Sequence, residues 1–136
     1  MSRRFEFEVF CKVRGQGRPR FSFKTGRAYE NKADKDYKRA ISERFVNSGG
    51  FHFGNSPLSV TIDVYRPLPK SRPKSIDSEH DTFAPDCDNI GKACLDALNK
   101  LAWNDDKQIV ELHVYKHIRR RERPECIRIG ISELEK

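Results

Sequence analysis

The stretch Asp86–Asp106 reads DCDNIGKACLDALNKLAWNDD, and it holds a helix between two acidic ends. From Asn89 to Leu101 the apolar residues Ile90, Ala93, Cys94, Ala97, Leu98 and Leu101 recur in alternating steps of three and one, the spacing of one helical face. Pro85 stands outside the start, and Asp88 or Asn89 suits the N-cap. A second stripe carries Asp88, Lys92, Asp96 and Lys100, each four residues after the last, so an apolar face can meet a core while a charged face meets a cleft. Asp86 and Asp88 flank a single residue. On an extended approach to the helix their carboxylates point the same way and repel, so a positive species must share the site. Hard oxygen donors favour Mg²⁺, which takes one or two carboxylates together with phosphate oxygens. Asp105 and Asp106 can return a third carboxylate once the following strand brings the chain back. Lys92, one turn inside the helix, can reach a scissile phosphate or its leaving oxygen. The same residues also fit a capped helix followed by a turn.

The flanking chain reads as one α/β (α+β) domain over residues 1–136, with a mixed sheet of about four strands and two helices packed on it in the order β-α-β-α-β-β. Phe5 to Val13 alternates, with Phe5, Phe7, Val9, Cys11 and Val13 on one face. Asn31 to Asn47 is helical and ends at Gly49-Gly50, and its mixed charges read as a solvated face. Pro57 to Arg66 and Lys107 to Lys116 are strands, as is Cys126 to Ser132. The turn between the last two is too short for a crossover, so they should form an antiparallel hairpin. Pro67 to Pro85 lacks periodicity, and such a long irregular loop reads as a flap ordered by DNA.

Lys and Arg number 27 against 20 Asp and Glu, a formal charge of +7. Mean hydropathy is −0.81. A basic domain of this size suits a polyanion, nucleic acid above all. In the loop Gly15–Glu30, Arg18, Arg20, Lys24 and Arg27 alternate with Phe21, Phe23 and Tyr29. Cations there can meet phosphates while rings stack on bases, and the same stretch fits a β-hairpin turning at Lys24-Thr25-Gly26. Lys70, Arg72 and Lys74 in the long loop, and Arg119, Arg120 and Arg121 in the basic turn, are further candidate phosphate contacts. No run of apolar residues is long enough to span a membrane, and the N-terminus has no signal-peptide core, so a cytoplasmic location is expected. Cys11, Cys87, Cys94 and Cys126 form no C-x-x-C pair and suit reduced, packed thiols.

PDCDNIGKACLDALN followed by WNDDKQIVEL resembles the signature of the RusA family of Holliday-junction resolvases, common in prophages: D-x-D-N-x-x-K-x-x-x-D-A-L, a short gap, then D-D-x-Q-hydrophobic. The match is specific over Pro85 to Lys116. It implies a Mg²⁺-dependent homodimeric endonuclease, Mn²⁺ being a possible substitute, that nicks four-way junction DNA symmetrically. By position, Asp86, Asp88 and Asp106 match the family's metal-binding catalytic aspartates and Lys92 its functional lysine. Asp96 and Asp105 match further motif positions, and Asp105 and Asp106 can exchange roles because the gap varies. The alternative from another class is a non-catalytic protein that binds branched DNA. Against it stand the carboxylates, which weaken binding to phosphate. A metal nuclease of flaps or plain duplex is a third reading.

Overall fold

Period-two alternation builds a sheet that is apolar on one side only. The computed structural model describes residues 2–16, 20–22, 24–29 and 31–135, with the backbone alone for residues 20, 21, 28 and 29. Its elements run β1 (Arg4–Phe10), β2 (Arg20–Ser22), β3 (Arg27–Tyr29), α1 (Lys32–Asn47), β4 (Leu58–Tyr65), β5 (Ser78–Glu79), α2 (Cys87–Leu98), β6 (Ile109–Lys116), β7 (Arg119–Arg120) and β8 (Cys126–Glu133). The main sheet has the order β1-β8-β4-β6. β8 is antiparallel to both β1 and β4, while β6 is parallel to β4. The mixed four-stranded sheet with two helices is thus the expected α+β architecture. β2 and β3 form the hairpin that the basic loop allowed, and Gly26 takes the positive φ its turn requires.

Both helices lie on the apolar side. Tyr37, Ile41 and Phe45 of α1 are buried there, and the Phe45 ring meets Phe5 and Phe7 edge-on at centroid distances of 5.4 and 5.5 Å. α2 buries Ile90, Ala93, Cys94, Ala97 and Leu98 of the predicted stripe, but the helix ends at Leu98, so Leu101, expected on it, lies half-buried in the turn beyond, where Lys100 takes a positive φ. It approaches β6 closely at Gly91, where an added Cβ would stand 3.2 Å from Leu112 Cδ2. Lys38 of α1 pairs with Asp96 of α2 across the surface. Burial lifts the Cys94 thiol to about 12 and the Cys11 thiol to about 11, so both stay protonated near neutrality. Asp34, read as part of a solvated face, is instead buried and ion-paired with Arg14 at 2.9 Å.

The last two long strands do not form a hairpin: β4 lies between β6 and β8. Apolar burial decides this. Ile127, Ile129 and Ile131 of β8 are all 0% exposed, as an interior strand demands, whereas Val110 and Leu112 of β6 are 59% and 43% exposed, as at an edge. Residues 117–125 need only step over one strand, about 10 Å. β4 and β6 are therefore joined as a parallel pair through α2, and the helix with its acidic ends is the crossover.

Strand β8 ends at Glu133, which accepts hydrogen bonds from the Arg3 side chain, the Arg3 backbone and Ser56. The Arg3 side chain, then its backbone N–H, hold the Glu133 carboxyl at about 2, down from 4.5. A depressed acid contributes stability above its unfolded pKa and loses it as pH falls through the folded one. Denaturation midpoints should therefore fall between pH 4.5 and about 2, and Glu133→Gln should flatten that part of the profile, as urea titrations at stepped pH would read.

Candidate functional site

Asp86 is the N-cap of α2: its carboxylate accepts the Asn89 N–H at 2.9 Å. The helix therefore begins before Asp88 or Asn89, the expected caps. Asp88 falls in the first helical turn, so the two carboxylates occupy successive steps of a helix start rather than one side of an extended segment. Both residues are exposed. Lys92 Nζ lies 3.2 Å from Asp88 Oδ2, one turn on. This pair is solvent-exposed and contributes little to folding. Its value lies in presenting a cation and a carboxylate side by side at the positive end of a helix.

A fully buried carboxylate holds the approach to this site. The Asp81 side chain is 0% exposed and accepts two bonds from Arg66, both at 2.9 Å. Arg119 and Lys116 approach it at 3.7 and 3.8 Å. Arg66 also donates to the Ala84 carbonyl at 3.1 Å. Lys116 donates to the carbonyls of Phe83 and Pro85. Three consecutive carbonyls ahead of Asp86 are thus fixed by cations that Asp81 gathers. On the other side, Gly15 presses on the helix start: a Cβ there would stand 2.9 Å from both Pro85 Cβ and Asn89 Cβ. The Gln16 N–H donates to the Asn89 carbonyl at 3.0 Å. The basic loop therefore departs from beside Asp86.

Asp106 lies elsewhere. Its carboxylate accepts the indole N–H of buried Trp103 at 2.8 Å and opens the short 3-10 turn Asp106–Gln108 that leads into β6. Asp105 caps that turn, and the Lys107 backbone N–H draws its carboxyl below the usual range. The N-terminal end of α2 instead lies beside the far end of β6, with Cys87 Sγ 3.7 Å from the Val114 carbonyl. Eight strand residues separate the two ends, about 25 Å. Asp86 and Asp88 thus do not meet Asp105 or Asp106 within one chain. Among the described residues no three Asp, Glu, His or Cys side chains are placed to share a metal ion.

The basic candidates divide by what they touch. Arg18 lies outside the described residues, and of Arg20 only the backbone, in β2, is described. Lys24 and Arg27 are exposed on the β2–β3 hairpin, and Lys70, Lys74 and Arg120 are exposed too. Arg72 pairs with Glu79 at 3.0 Å. Arg121 donates to the Pro73 and Ile76 carbonyls at 2.7 and 3.0 Å, tying the basic turn to the long loop beside the β5–β7 pairing. Arg119 is buried, donates to the Pro67 carbonyl at 2.7 Å, and is pushed below its usual pKa by burial and then by Arg66. From the sequence, His80 and Asp81 could approach a metal, although nothing in their spacing requires it; the structure instead buries the Asp81 carboxylate against Arg66, with Lys116 and Arg119 nearby.

A protein-family model, Endodeoxyribonuclease RusA, matches residues 11–131. The chain is also 32% identical over 121 residues to the uncharacterized protein YqaN of Bacillus subtilis (strain 168), covering 82% of this chain and 85% of that protein. Replacing Asp81 by Ala would strand two buried guanidinium groups, so Asp81→Ala should lose about 3–5 kcal/mol of stability in denaturant titration.

Proposed function

Since the chain belongs to the RusA endodeoxyribonuclease family, we propose that it resolves four-way DNA junctions by paired, Mg²⁺-dependent nicks made by a homodimer. The observation that carries the reading is the division of the acidic motif between the two ends of β6. The donor set suits a hard cation, but among the described residues one chain brings Asp86 and Asp88 to the helix start without a third carboxylate to share the ion. A second chain can supply the rest. β6 is an edge strand with exposed Val110, Leu112 and Tyr115, a template for pairing. Two β6 strands paired antiparallel about a two-fold axis would bring Asp106 of each chain to the α2 start of the other. Asp86, Asp88 and the other chain's Asp106 would then hold the ion, with Asp105 beside it.

A divalent ion so held supplies a water of lowered pKa and neutralises charge on the scissile phosphate. The chain's own groups do the rest. Lys92 steadies a phosphate oxygen or the leaving oxygen. Trp103 fixes the Asp106 carboxylate, and Lys116 and Arg66 fix the backbone that presents Asp86. Lys24, Arg27, Lys70, Lys74 and Arg120, with Arg18 and Arg20, meet the backbone phosphates. Arg72, Arg119 and Arg121 support that surface from within. Contacts of this kind read shape and not sequence. Two sites related by the dimer axis suit the two-fold symmetry of a junction.

Two outcomes follow. Asp88→Asn should abolish Mg²⁺-dependent cleavage of a labelled synthetic junction while leaving gel-shift affinity equal or higher, since a carboxylate facing phosphate is removed. Asp88→Asn and Asp106→Asn proteins should each be inactive, yet mixing them after subunit exchange should restore single nicks, because each mixed dimer keeps one unaltered site. No recovery in mixtures shown to contain mixed dimers would place both carboxylates of a site in one chain. Tight binding without cleavage by the unaltered protein, across divalent metals and junction sequences, would leave a non-catalytic branched-DNA binder.

A further inference from the structure

Phe83 stands three residues ahead of Asp86, in the segment that delivers the chain to α2, and it is 38% exposed. A single exposed ring is ordinary on a surface. This one is held from three directions. Its carbonyl accepts from Lys116, its N–H donates to Asp81 Oδ1 at 3.4 Å, and the Arg119 guanidinium lies 4.9 Å from the centre of its ring. All three partners belong to the Asp81 centre, where the Lys116 and Arg119 side chains are 10% exposed and that of Asp81 0%. The backbone beneath the ring is therefore tied to buried groups while the ring itself meets solvent. Lys116 also holds the Pro85 carbonyl at 2.9 Å, so Phe83 and Asp86 share one anchor. Lys116 follows Leu112 and Val114 at every second residue on the face of β6 that meets Gly91 of α2. Its side chain, and the residue it fixes, thus lie on the same side of the sheet as Asp86 and Asp88.

The charge beneath the ring suits phosphate. Arg66, Lys116 and Arg119 surround the one Asp81 carboxylate. Two other carboxylates act on Arg119 and both are engaged: Glu79 by Arg72 at 3.0 Å, and Glu125 by the Val13 N–H. Lys92 adds an exposed cation at the helix start. Three residues of chain span about 10 Å, the length of about three stacked nucleotides at ~3.4 Å each. A phosphate held at Asp86 and Asp88 therefore brings neighbouring bases within reach of the Phe83 ring. In a continuous duplex both faces of those bases are already stacked. At the exchange point of a four-way junction the arms part, and a base there can turn one face to a ring at low cost. Every base has such a face, so the contact reads shape and not sequence.

We infer that Phe83 is a specificity-determining residue: its ring stacks on a base parted from its neighbour at the exchange point, beside the phosphate held at Asp86 and Asp88, and so favours branched over continuous DNA. The inference rests on the junction substrate of the proposed function and not on its metal chemistry, so its test is binding in EDTA.

Fluorescence anisotropy of the full chain would compare a labelled four-way junction with linear duplex of the same sequence. A second junction carries 2-aminopurine beside the exchange point, which brightens when its base leaves the stack. The unaltered protein should prefer the junction and brighten the probe. Phe83→Ala and Phe83→Leu should each lose about tenfold in junction affinity and less than twofold on duplex, and should leave the probe dim. Phe83→Tyr, which keeps a ring, should retain both signals. Leucine still covers Arg119, so Phe83→Leu separates a ring that stacks on a base from a lid over the Asp81 centre. Thermal melting confirms that the variants are folded, and sedimentation reads their oligomeric state. Either signal unchanged in Phe83→Leu would overturn the inference. So would an equal loss on junction and duplex, or a folded variant that loses self-association, which would make Phe83 a contact between copies. An unaltered protein that binds the junction no better than duplex would remove the proposed substrate together with the inference. Junction cleavage with undiminished discrimination by Phe83→Leu would refute the inference alone and leave the nuclease standing.

Discussion

Asp81 is a full negative charge removed from water, and the architecture around the candidate site depends on keeping it compensated. An unpaired carboxylate so placed would cost several kcal/mol, so cations must come to it. They come from three places: Arg66 just beyond β4, Lys116 at the end of β6, and Arg119 in β7. The charge therefore joins the ends of two parallel strands to a short strand far along the chain. Each cation has donors left over, and these go to backbone carbonyls of Pro67, Phe83, Ala84 and Pro85. A loop with four prolines and almost no ladder hydrogen bonds of its own is made definite by side chains that Asp81 has already immobilised.

This explains why the arginine-rich turn is only partly available to a ligand. Four arginines between His117 and Glu125 suggest a surface waiting for an anion. Arg119 and Arg121 are instead committed to carbonyls of the long loop, and Arg123 to the Ile118 carbonyl and the Tyr65 ring. Arg120 alone of the four remains exposed. Sequence composition reports charge, whereas what a charge can reach is decided by which carbonyls lie unpaired nearby.

Periodicity made β1, β4, β8 and α2 legible, because apolar spacing is dictated by which side is buried: Ile127, Ile129 and Ile131, or Ile90, Ala93 and Ala97, can face only one core. It could not tell which strands are neighbours. Alternation in β6 and β8 is the same whether they pair with each other or straddle β4, and only the depth of burial separates the cases. The acidic motif was legible as a set of residue types and illegible as a constellation. Asp86 and Asp106 belong to one short motif, yet a twelve-residue helix and its turn carry them to opposite ends of β6. The cap moved for a local reason: Asp86 is the carboxylate whose position lets it accept the Asn89 N–H.

The placement of β8 bears on how the chain is made. β8 lies inside the sheet and pairs on both edges, Phe5 with Ile131 on one side and Val60 with Ile131 on the other. Until residues 126–133 leave the ribosome, β1 and β4 have no strand between them and the apolar faces of both helices have no complete floor. Folding must then close contacts across nearly the whole sequence, which is slow compared with helix formation. The sheet that carries the basic loops and the acidic motif can therefore close between β1 and β4 only after translation has passed Glu133.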